Sequence, residues 1–402
     1  MHSKTSVFSE KEQVALIDLC SGAGGLSLGF QKAGFRIGVG VECNLRVAET
    51  YRSNFPKTEL IQEKIDNISG EMLLDKVSQR PFEKLILAGG PPCQPFSQAN
   101  HQNNGSAHPL ASTIDHFVRL IEEVKPECFL FENVTNFQLM SKGESMNKFI
   151  EKLGRLSYNV SFAILKSEDF GVPQLRRRLF VGGMKGNYGQ DFEISIAKRR
   201  RVRPTVGDAI SDLPFLQEGG GGSDVTNYPD QKKLTSYQRR MRNGSQMLYN
   251  HWSSKNSLEV IRTISYIGPD QSLKTSWNRL PQDVRNRYKN PKNMHYNVYK
   301  RLVWDGLAPT IVHPRRAMLL HPCRNRIITV REAARLQGFP DKFRFCGGID
   351  SQYQQVANAI PPNIAESLAN LYATHLTDSR YQTVDLPIEE IKVSCGCGQT
   401  VC

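Results

Sequence analysis

The chain has no run of about 20 apolar residues, the length that spans a bilayer, so it offers no membrane anchor. Its opening, Met1-His2-Ser3-Lys4, is polar and has none of the apolar core of a secretory signal, and a cytosolic location is expected. Cysteine is sparse and odd in number: nine among 402 residues, at 20, 43, 93, 128, 323, 346, 395, 397 and 402. Such scatter excludes a disulfide framework and suits a reducing compartment. Cys395, Cys397 and Cys402 lack a fourth ligand at tetrahedral zinc spacing, so no metal is expected. Internal repeats are absent. Apolar content of 39% is that of an ordinary globular protein, and the length implies two or three domains.

Acidic residues are in deficit, and the deficit is local. The net charge is +13, yet residues 184–320 hold 23 Lys and Arg against 11 Asp and Glu, leaving 29 against 28 elsewhere. A basic field confined to one segment is what a polyanion-binding face requires, because counterion release from phosphates supplies most non-specific affinity. Lys198-Arg199-Arg200-Arg201-Val202-Arg203, Arg239-Arg240-Met241-Arg242 and Arg285-Asn286-Arg287-Tyr288-Lys289 alternate there with Tyr237, Tyr249, Trp252, Trp277, Tyr296 and Trp304. Such rings either stack on bases or build a small core. Gly219-Gly220-Gly221-Gly222 reads as a flexible break, and the whole segment as a loop-rich insert.

Before the insert, Val14-Ala15-Leu16-Ile17-Asp18-Leu19-Cys20 reads as a buried strand, and Ser21-Gly22-Ala23-Gly24-Gly25 as the turn into a helix. This is the cofactor-binding opening of a doubly wound fold. A dinucleotide fingerprint needs a third glycine at position 27, where Ser27 stands, so a nicotinamide dehydrogenase is disfavoured. Asp18 beside the turn suits a cofactor carrying an amino group. Glu42, ending the strand Ile37–Val41, is placed to accept two ribose hydroxyls, and Asp66 to meet an adenine edge.

The apolar run Leu85-Ile86-Leu87-Ala88 leads into Gly89-Gly90-Pro91-Pro92-Cys93-Gln94-Pro95-Phe96-Ser97, a stiff loop where a strand should end. A free cysteine is most often buried packing, but one on that loop is placed for nucleophilic chemistry. Residues 98–108 read as a lid. Cys128-Phe129-Leu130-Phe131-Glu132-Asn133-Val134 reads as another buried strand ending in a carboxylate whose apolar setting favours its protonated form. Alternation in Leu175-Arg176-Arg177-Arg178-Leu179 sends Arg176 and Arg178 to one side and the leucines to the other. Thr329 with Glu332 forms the capping box of a helix that Gly338 and Pro340 stop, and a last helix runs from 362 to 376.

In this order the glycine turn, Pro91-Pro92-Cys93-Gln94, Glu132-Asn133-Val134, Gln174 with Arg176 and Arg178, Arg331-Glu332-Ala333-Ala334-Arg335-Leu336-Gln337 and Asn358 resemble the bacterial cytosine-5 DNA methyltransferases of restriction–modification systems. The likeness runs from Asp18 to residue 375. It implies an α/β fold, a doubly wound Rossmann-like methyltransferase sheet with a smaller, loop-rich basic target recognition domain. Its divisions would be a catalytic domain that binds S-adenosylmethionine at 1–183, the recognition domain at 184–320, a linking motif helix at 321–349, a helix completing the catalytic domain at 350–376, and a polar tail at 377–402.

The resemblance also implies a chemistry. Cys93 would add to C6 of a cytosine flipped out of duplex DNA, making C5 nucleophilic toward the methyl of S-adenosylmethionine. Glu132 would hold N3, with Arg176 and Arg178 fixing the base. Gln94, Ser97, Asn133 and Gln174 would be substrate contacts, and Asp18, Cys20, Gly22, Gly24, Gly25, Glu42, Asp66, Pro92 and Asn358 would surround the cofactor. A monomer is expected, with a cognate restriction endonuclease acting at the same site. Two positions depart from the family pattern: Cys20 replaces an aromatic and Ala357 a glycine. A transfer-RNA methyltransferase of the same fold would carry Cys-Phe-Thr, which the insert lacks, and a non-catalytic DNA-binding relative would have lost Cys93 or Glu132.

The basic insert predicts a steep salt response. Affinity for duplex DNA, read by fluorescence anisotropy, should fall roughly 10³-fold or more between about 50 and 200 mM salt, and a flat curve would remove its phosphate-binding role.

Overall fold

Val14–Leu19, Lys84–Gly89 and Cys128–Asn133 are buried along nearly their whole length, which requires cover on both faces and is the signature of a parallel sheet between helices. The computed structural model describes residues 13–92, 111–186, 192–194, 203–230, 233–288, 298–312, 318–377 and 394–395. In chain order the first elements are β1 (Val14–Leu19), α1 (Gly25–Lys32), β2 (Arg36–Val41), α2 (Leu45–Asn54), β3 (Glu59–Ile61), α3 (Gly70–Ser78) and β4 (Lys84–Gly89). Then come α4 (Ala111–Val124), β5 (Cys128–Asn133), α5 (Glu144–Arg155), β6 (Tyr158–Lys166), β7 (Gln174–Leu175), β8 (Arg177–Lys185), α6 (Val206–Ile210), β9 (Gly221–Thr226) and α7 (Ser236–Arg242). The remainder is β10 (Leu248–Ser253), α8 (Leu258–Ser265), α9 (Gln282–Arg285), β11 (Lys300–Arg301), β12 (Ala308–Pro309), β13 (Leu319–Leu320), α10 (Val330–Leu336), α11 (Ile349–Asn358), α12 (Pro362–Thr377) and β14 (Ser394–Cys395).

The chain divides into two compact units. The first comprises Met1–Lys166, Arg177–Arg199 and Pro362–Cys402, and the second Ser167–Arg176 and Arg200–Pro361. Thus α10 and α11 belong to the second unit and α12 to the first.

The first unit is built on one sheet of order β14-β6-β8-β5-β4-β1-β2-β3. Its strands are parallel except β8, which runs antiparallel to both β5 and β6. Ala15, Ile17 and Leu19 of β1 face a core completed by Leu73 and Val77 of α3 and Phe117, Leu120 and Ile121 of α4. Phe131 on β5 anchors its aromatic part, with ring centroids 5.4 Å from Phe117, 5.6 Å from Phe137 and 4.6 Å from Phe149. On the other face α1 packs along α12. No helix among the described residues is long and apolar enough to cross a membrane.

The second unit has little sheet and depends on buried ions. The β9–β10 pair is an antiparallel ribbon with an exposed outer strand. The four glycines read as a flexible break instead lead into β9 with φ of 84°, 95°, 102° and 107°, a left-handed path that other residues resist. Behind the ribbon lies α10, with the capping box expected from its sequence: Thr329 Oγ1 accepts from the Glu332 amide at 3.0 Å, and Glu332 Oε2 accepts from the Thr329 amide at 2.7 Å. Arg331 and Arg335 on this helix are fully buried. Arg335 Nε donates to Asp341 Oδ1 at 2.8 Å and Nη2 to Asp341 Oδ2 at 2.6 Å, while Nη1 and Nη2 both bond Asp212. Arg242 Nε donates to the same Asp212 at 2.6 Å, so α6, α7 and α10 are joined through one carboxylate. The aromatics of the insert are largely structural: Tyr237 donates to the Arg335 carbonyl, Trp252 Nε1 donates to Gln352 Oε1 at 3.0 Å, and Trp277 packs on a core of Ile264, Leu273 and Val284. Tyr296 lies outside the described residues.

Removing one partner from a buried ion network leaves an uncompensated charge. Asp212→Ala is expected to cost about 3–5 kcal/mol in urea unfolding. At the exposed Lys152–Asp115 pair, 2.6 Å apart, Asp115→Ala should cost less than about 1 kcal/mol.

Candidate active site

Parallel register sets the geometry of the site. Leu19 pairs with Val41 on one side and with Gly89 on the other, and Gly89 pairs with Phe131. The residues that follow these, Cys20, Glu42, Gly90 and Glu132, therefore stand in a row along the carboxyl edge of β2, β1, β4 and β5. Ligands of open α/β sheets bind at this edge.

At the end of β1 the chain leaves the strand through Cys20 and Gly22, both left-handed at φ 51° and 56°, and enters α1 from Gly24 at φ 97°. A Cβ on Gly24 would lie 2.3 Å from Phe55 Cε2, whereas one on Gly22 would meet nothing within 4 Å. Gly24 is thus closed by protein and Gly22 opens to solvent. Glu42 spans the turn: Oε2 accepts from the Gly22 amide at 3.0 Å and Oε1 from the Asn44 amide at 2.8 Å. The amide and thiol of Cys43 bond the same carboxylate, so Glu42 is held from several sides. Burial raises its pKa above the usual carboxylate range. Asp66 is exposed on a short 3-10 turn, Ile65–Asn67, beyond β3.

Asp18 is not exposed to the turn. It is 1% accessible, and its Oδ2 accepts from Ser27 Oγ at 2.6 Å. Ser27 in turn lies 2.8 Å from Tyr51 Oη, and both are fully buried. Burial lifts the Asp18 pKa to about 7, with Glu42 adding to the rise and the hydrogen bonds from Ser27 opposing it. The Cys20 thiol is pushed far up by burial and by the acids around it, which leaves it inert.

Beyond β4 the described chain ends at Pro92, which is exposed. Cys93, Gln94, Ser97 and the stretch read as a lid lie outside the described residues. Asn133 ties the neighbouring strand to this loop, donating from Nδ2 to the Pro91 carbonyl at 3.4 Å. Glu132 is 8% exposed and pairs with Arg178 on β8, Nε to Oε1 at 3.2 Å. It therefore faces a guanidinium, not the apolar wall expected from its strand.

Arg176 and Arg178 do not act as a pair. The run read as one alternating strand breaks at Arg176, between β7 of the second unit and β8 of the first. Leu175, expected on the same side as Leu179, is 51% exposed where Leu179 is buried, and Arg176 is 1% exposed. Its Nη1 and Nη2 donate to the carbonyls of Ala357 and Ala359 at 2.8 and 3.1 Å. Gln174 is likewise buried, donating to Gln337 Oε1 at 2.6 Å and to the Leu336 carbonyl at 3.2 Å. Both side chains brace the second unit, because burial without such partners would be costly. Asn358, also in that unit, ends α11 exposed and accepts from Gln354 Nε2 at 2.6 Å. Ser27 and Tyr51 went unnoticed as site residues in the sequence. Ser27 was visible only as a missing glycine, and Tyr51 had no signal at all.

A mostly parallel sheet with a glycine turn after its first strand, an acid ending its second and an antiparallel β8 defines a Rossmann-like methyltransferase fold. Residues 14–372 match the model of the C-5 cytosine-specific DNA methylases. Type II methyltransferase M1.HphI of Haemophilus parahaemolyticus is 33% identical over 358 residues, 88% of this chain and 85% of that one. Type II methyltransferase M.DdeI of Desulfomicrobium norvegicum is 32% identical over 375 residues, 88% and 87% of the two chains. A crystal structure described as a DNA modification methyltransferase encoded within a prophage (E. coli) superposes with a TM-score of 0.73 at 25% identity, covering 91% of this chain and all of that one. The chain belongs to the C-5 cytosine-specific DNA methylase family and is a DNA (cytosine-5)-methyltransferase. The dehydrogenase reading is thereby set aside.

The buried Asp18 makes a pH prediction. Its folded pKa stands above its unfolded value, so the stability it allows is complete below about pH 4 and is lost as pH rises through about 7. Relative to Asp18→Asn, which cannot ionise, the wild type should lose about 4 kcal/mol of unfolding free energy between pH 4 and pH 8. Parallel pH profiles of the two proteins would reveal a sloping difference; a constant one would refute it.

Proposed function

We propose that this enzyme methylates C5 of a cytosine at a specific site in double-stranded DNA, with Cys93 as nucleophile and S-adenosylmethionine as donor. The observation that supports this most is the row along one sheet edge, in which the glycine turn, Glu42, the loop leading to Cys93 and the Glu132–Arg178 pair follow strands in consecutive register.

The turn suits such a donor. Gly22 leaves space where any side chain would intrude, and Glu42, fixed to the Gly22 and Asn44 amides, sets a carboxylate at the turn toward which the hydroxyls of a ribose could donate. Gly22, Gly24, Gly25, Glu42 and Pro92 would hold it, with Asp66 as an outer contact and Cys20 and Asp18 beneath. When bound, the donor supplies a methyl on a sulfonium, whose leaving group is a neutral thioether.

Cys93, as thiolate, would add to C6 of the target, and the electron pair of the C5–C6 double bond would move into the ring toward N3. Glu132 would bind at N3 and Arg178 would hold Glu132 in place. After C5 takes the methyl, a base removes the C5 proton and Cys93 leaves, restoring the double bond. C6 is out of reach inside a duplex, so the cytosine must be extruded. Asn133, fixed to Pro91, would keep the nucleophile loop beside Glu132. Protection of host DNA from an endonuclease with the same target is the role that accords with Type II relatives.

Cys93→Ser should abolish methyl transfer, by at least about 10³-fold, while duplex affinity changes little. The wild type, given donor and an oligonucleotide with 5-fluorocytosine at the correct site, should form a species that survives a denaturing gel. Undiminished tritium incorporation by the variant, or no trapped species, would end the nucleophile assignment. Bisulfite sequencing of DNA from expressing cells identifies the base and its context, and modification of transfer RNA alone would favour the RNA-acting alternative.

A further inference from the structure

We propose that Ser27 and Tyr51 are positioning residues for the cofactor turn, acting through Asp18 so that donor affinity is set from behind the turn and not by contact between Asp18 and the donor. This rests on the reading of the Gly22–Gly25 turn as the donor site.

The direction of the chain follows from counting protons. Above about pH 7, where Asp18 is ionised, its carboxylate only accepts, so Ser27 gives its single hydroxyl proton to Asp18, at 2.6 Å. Tyr51 Oη, 2.8 Å from Ser27 Oγ, must then be the donor to Ser27. The Ser27 amide also bonds the Asp18 carboxylate, so the serine grips it twice. All three side chains are at most 1% exposed, leaving no path by which a ligand in the turn could reach the Asp18 oxygens.

These three residues join three elements. Asp18 lies in β1, two residues before the left-handed Cys20; Ser27 lies in the first turn of α1; Tyr51 lies in α2. The Tyr51 ring also presses against the turn and the neighbouring strand. A Cβ on Gly24 would come 3.2 Å from Tyr51 Cδ2, and one on Gly40 would come 2.7 Å from Tyr51 Cζ. Phe55, with its centroid 4.7 Å from that of Tyr51, closes on the same side of Gly24. Glu42 is coupled to the same assembly, because it bonds Gly22 in the turn and Asn44, the N-cap of α2. Among the described residues the charged and titratable groups facing Asp18 are Glu42, Cys20 and Tyr51, none of them cationic. With no cation among the described residues to hold the carboxylate, the hydroxyl chain is what orients it, and its loss would release the turn and Glu42 together.

The test is direct calorimetric binding of S-adenosylmethionine to the full chain, alongside steady-state kinetics. Tyr51→Phe, which deletes one oxygen, and Ser27→Ala should each raise the donor Kd about fivefold to tenfold, as expected for loss of one buried hydrogen bond. The KM for donor should rise equally, with kcat at saturating donor and the Kd for duplex DNA within about twofold of wild type. Should Ser27→Ala fail to fold, Tyr51→Phe alone decides. Unchanged donor Kd in folded Tyr51→Phe overturns the proposal. So does a loss confined to Asp18→Asn, which would mean direct contact. Glu42→Ala separates the two levels: if it loses donor while the chain variants keep it, only the positioning role fails, whereas a wild type that does not bind donor removes the donor site and this inference with it.

Discussion

Parallel pairing of β1 with β2 on one flank and β4 on the other is the constraint from which the site descends. Strands in parallel register expose their ends together, so residues 22, 42, 90 and 132, far apart in sequence, arrive at one edge without any side chain having to reach for another. The cost is that each strand end must turn sharply in the same place. At β1 the turn is left-handed three times, at Cys20, Gly22 and Gly24, and at β4 it carries Gly90, Pro91 and Pro92. Glycine and proline dominate this edge because the backbone there is fixed by the sheet and not by its own preference.

The strands of that sheet were legible because full burial leaves an unbroken apolar run, which hardly any other element imitates at that length. The capping box of α10 was legible for a different reason: its two partners are three residues apart, so local sequence contains the whole interaction. The roles of Arg176 and Arg178 were not. Alternation predicts sidedness only where one strand continues, and here β7 and β8 belong to different units with Arg176 at the break. What decides the fate of Arg176 are carbonyls at 357 and 359, more than 180 residues later, and no local pattern records them.

Charge counting shows the same limit. The insert is basic in sequence, but its arginines divide between two tasks. Arg242 pairs with buried Asp212, and Arg301 donates to the carbonyls of Ile264, Ile267, His321 and Arg324. These guanidiniums replace the sheet that the second unit lacks, since five donors in a planar fork can satisfy several backbone carbonyls that no strand pairs. The Arg242–Asp212 pair cancels within the excess of 12 over residues 184–320, and Arg301 adds to the field while its donors are spent on carbonyls, so that excess counts charge and not the guanidiniums free to bond phosphate.

The two acids at the ends of β1 and β5 illustrate how one edge sustains different electrostatic states. Glu132 is paired with a guanidinium at 3.2 Å, so its oxygens are held by an opposite charge. Asp18 has no cation near it among the described residues, only the hydroxyl and the amide of Ser27, and burial carries its pKa to about 7. The difference is one of supply. β8 runs antiparallel beside β5 and brings Arg178 to Glu132, whereas both neighbours of β1 are parallel strands that deliver an acid and a glycine-proline loop. A carboxylate in β1 is held instead by a donor from the helix behind it: Ser27 bonds Asp18, and Tyr51 lies on the far side of the Ser27 hydroxyl. Reversal of one strand thus gives β5 a carboxylate paired with a cation, while an unbroken parallel flank leaves β1 an acid held by hydroxyl and amide alone.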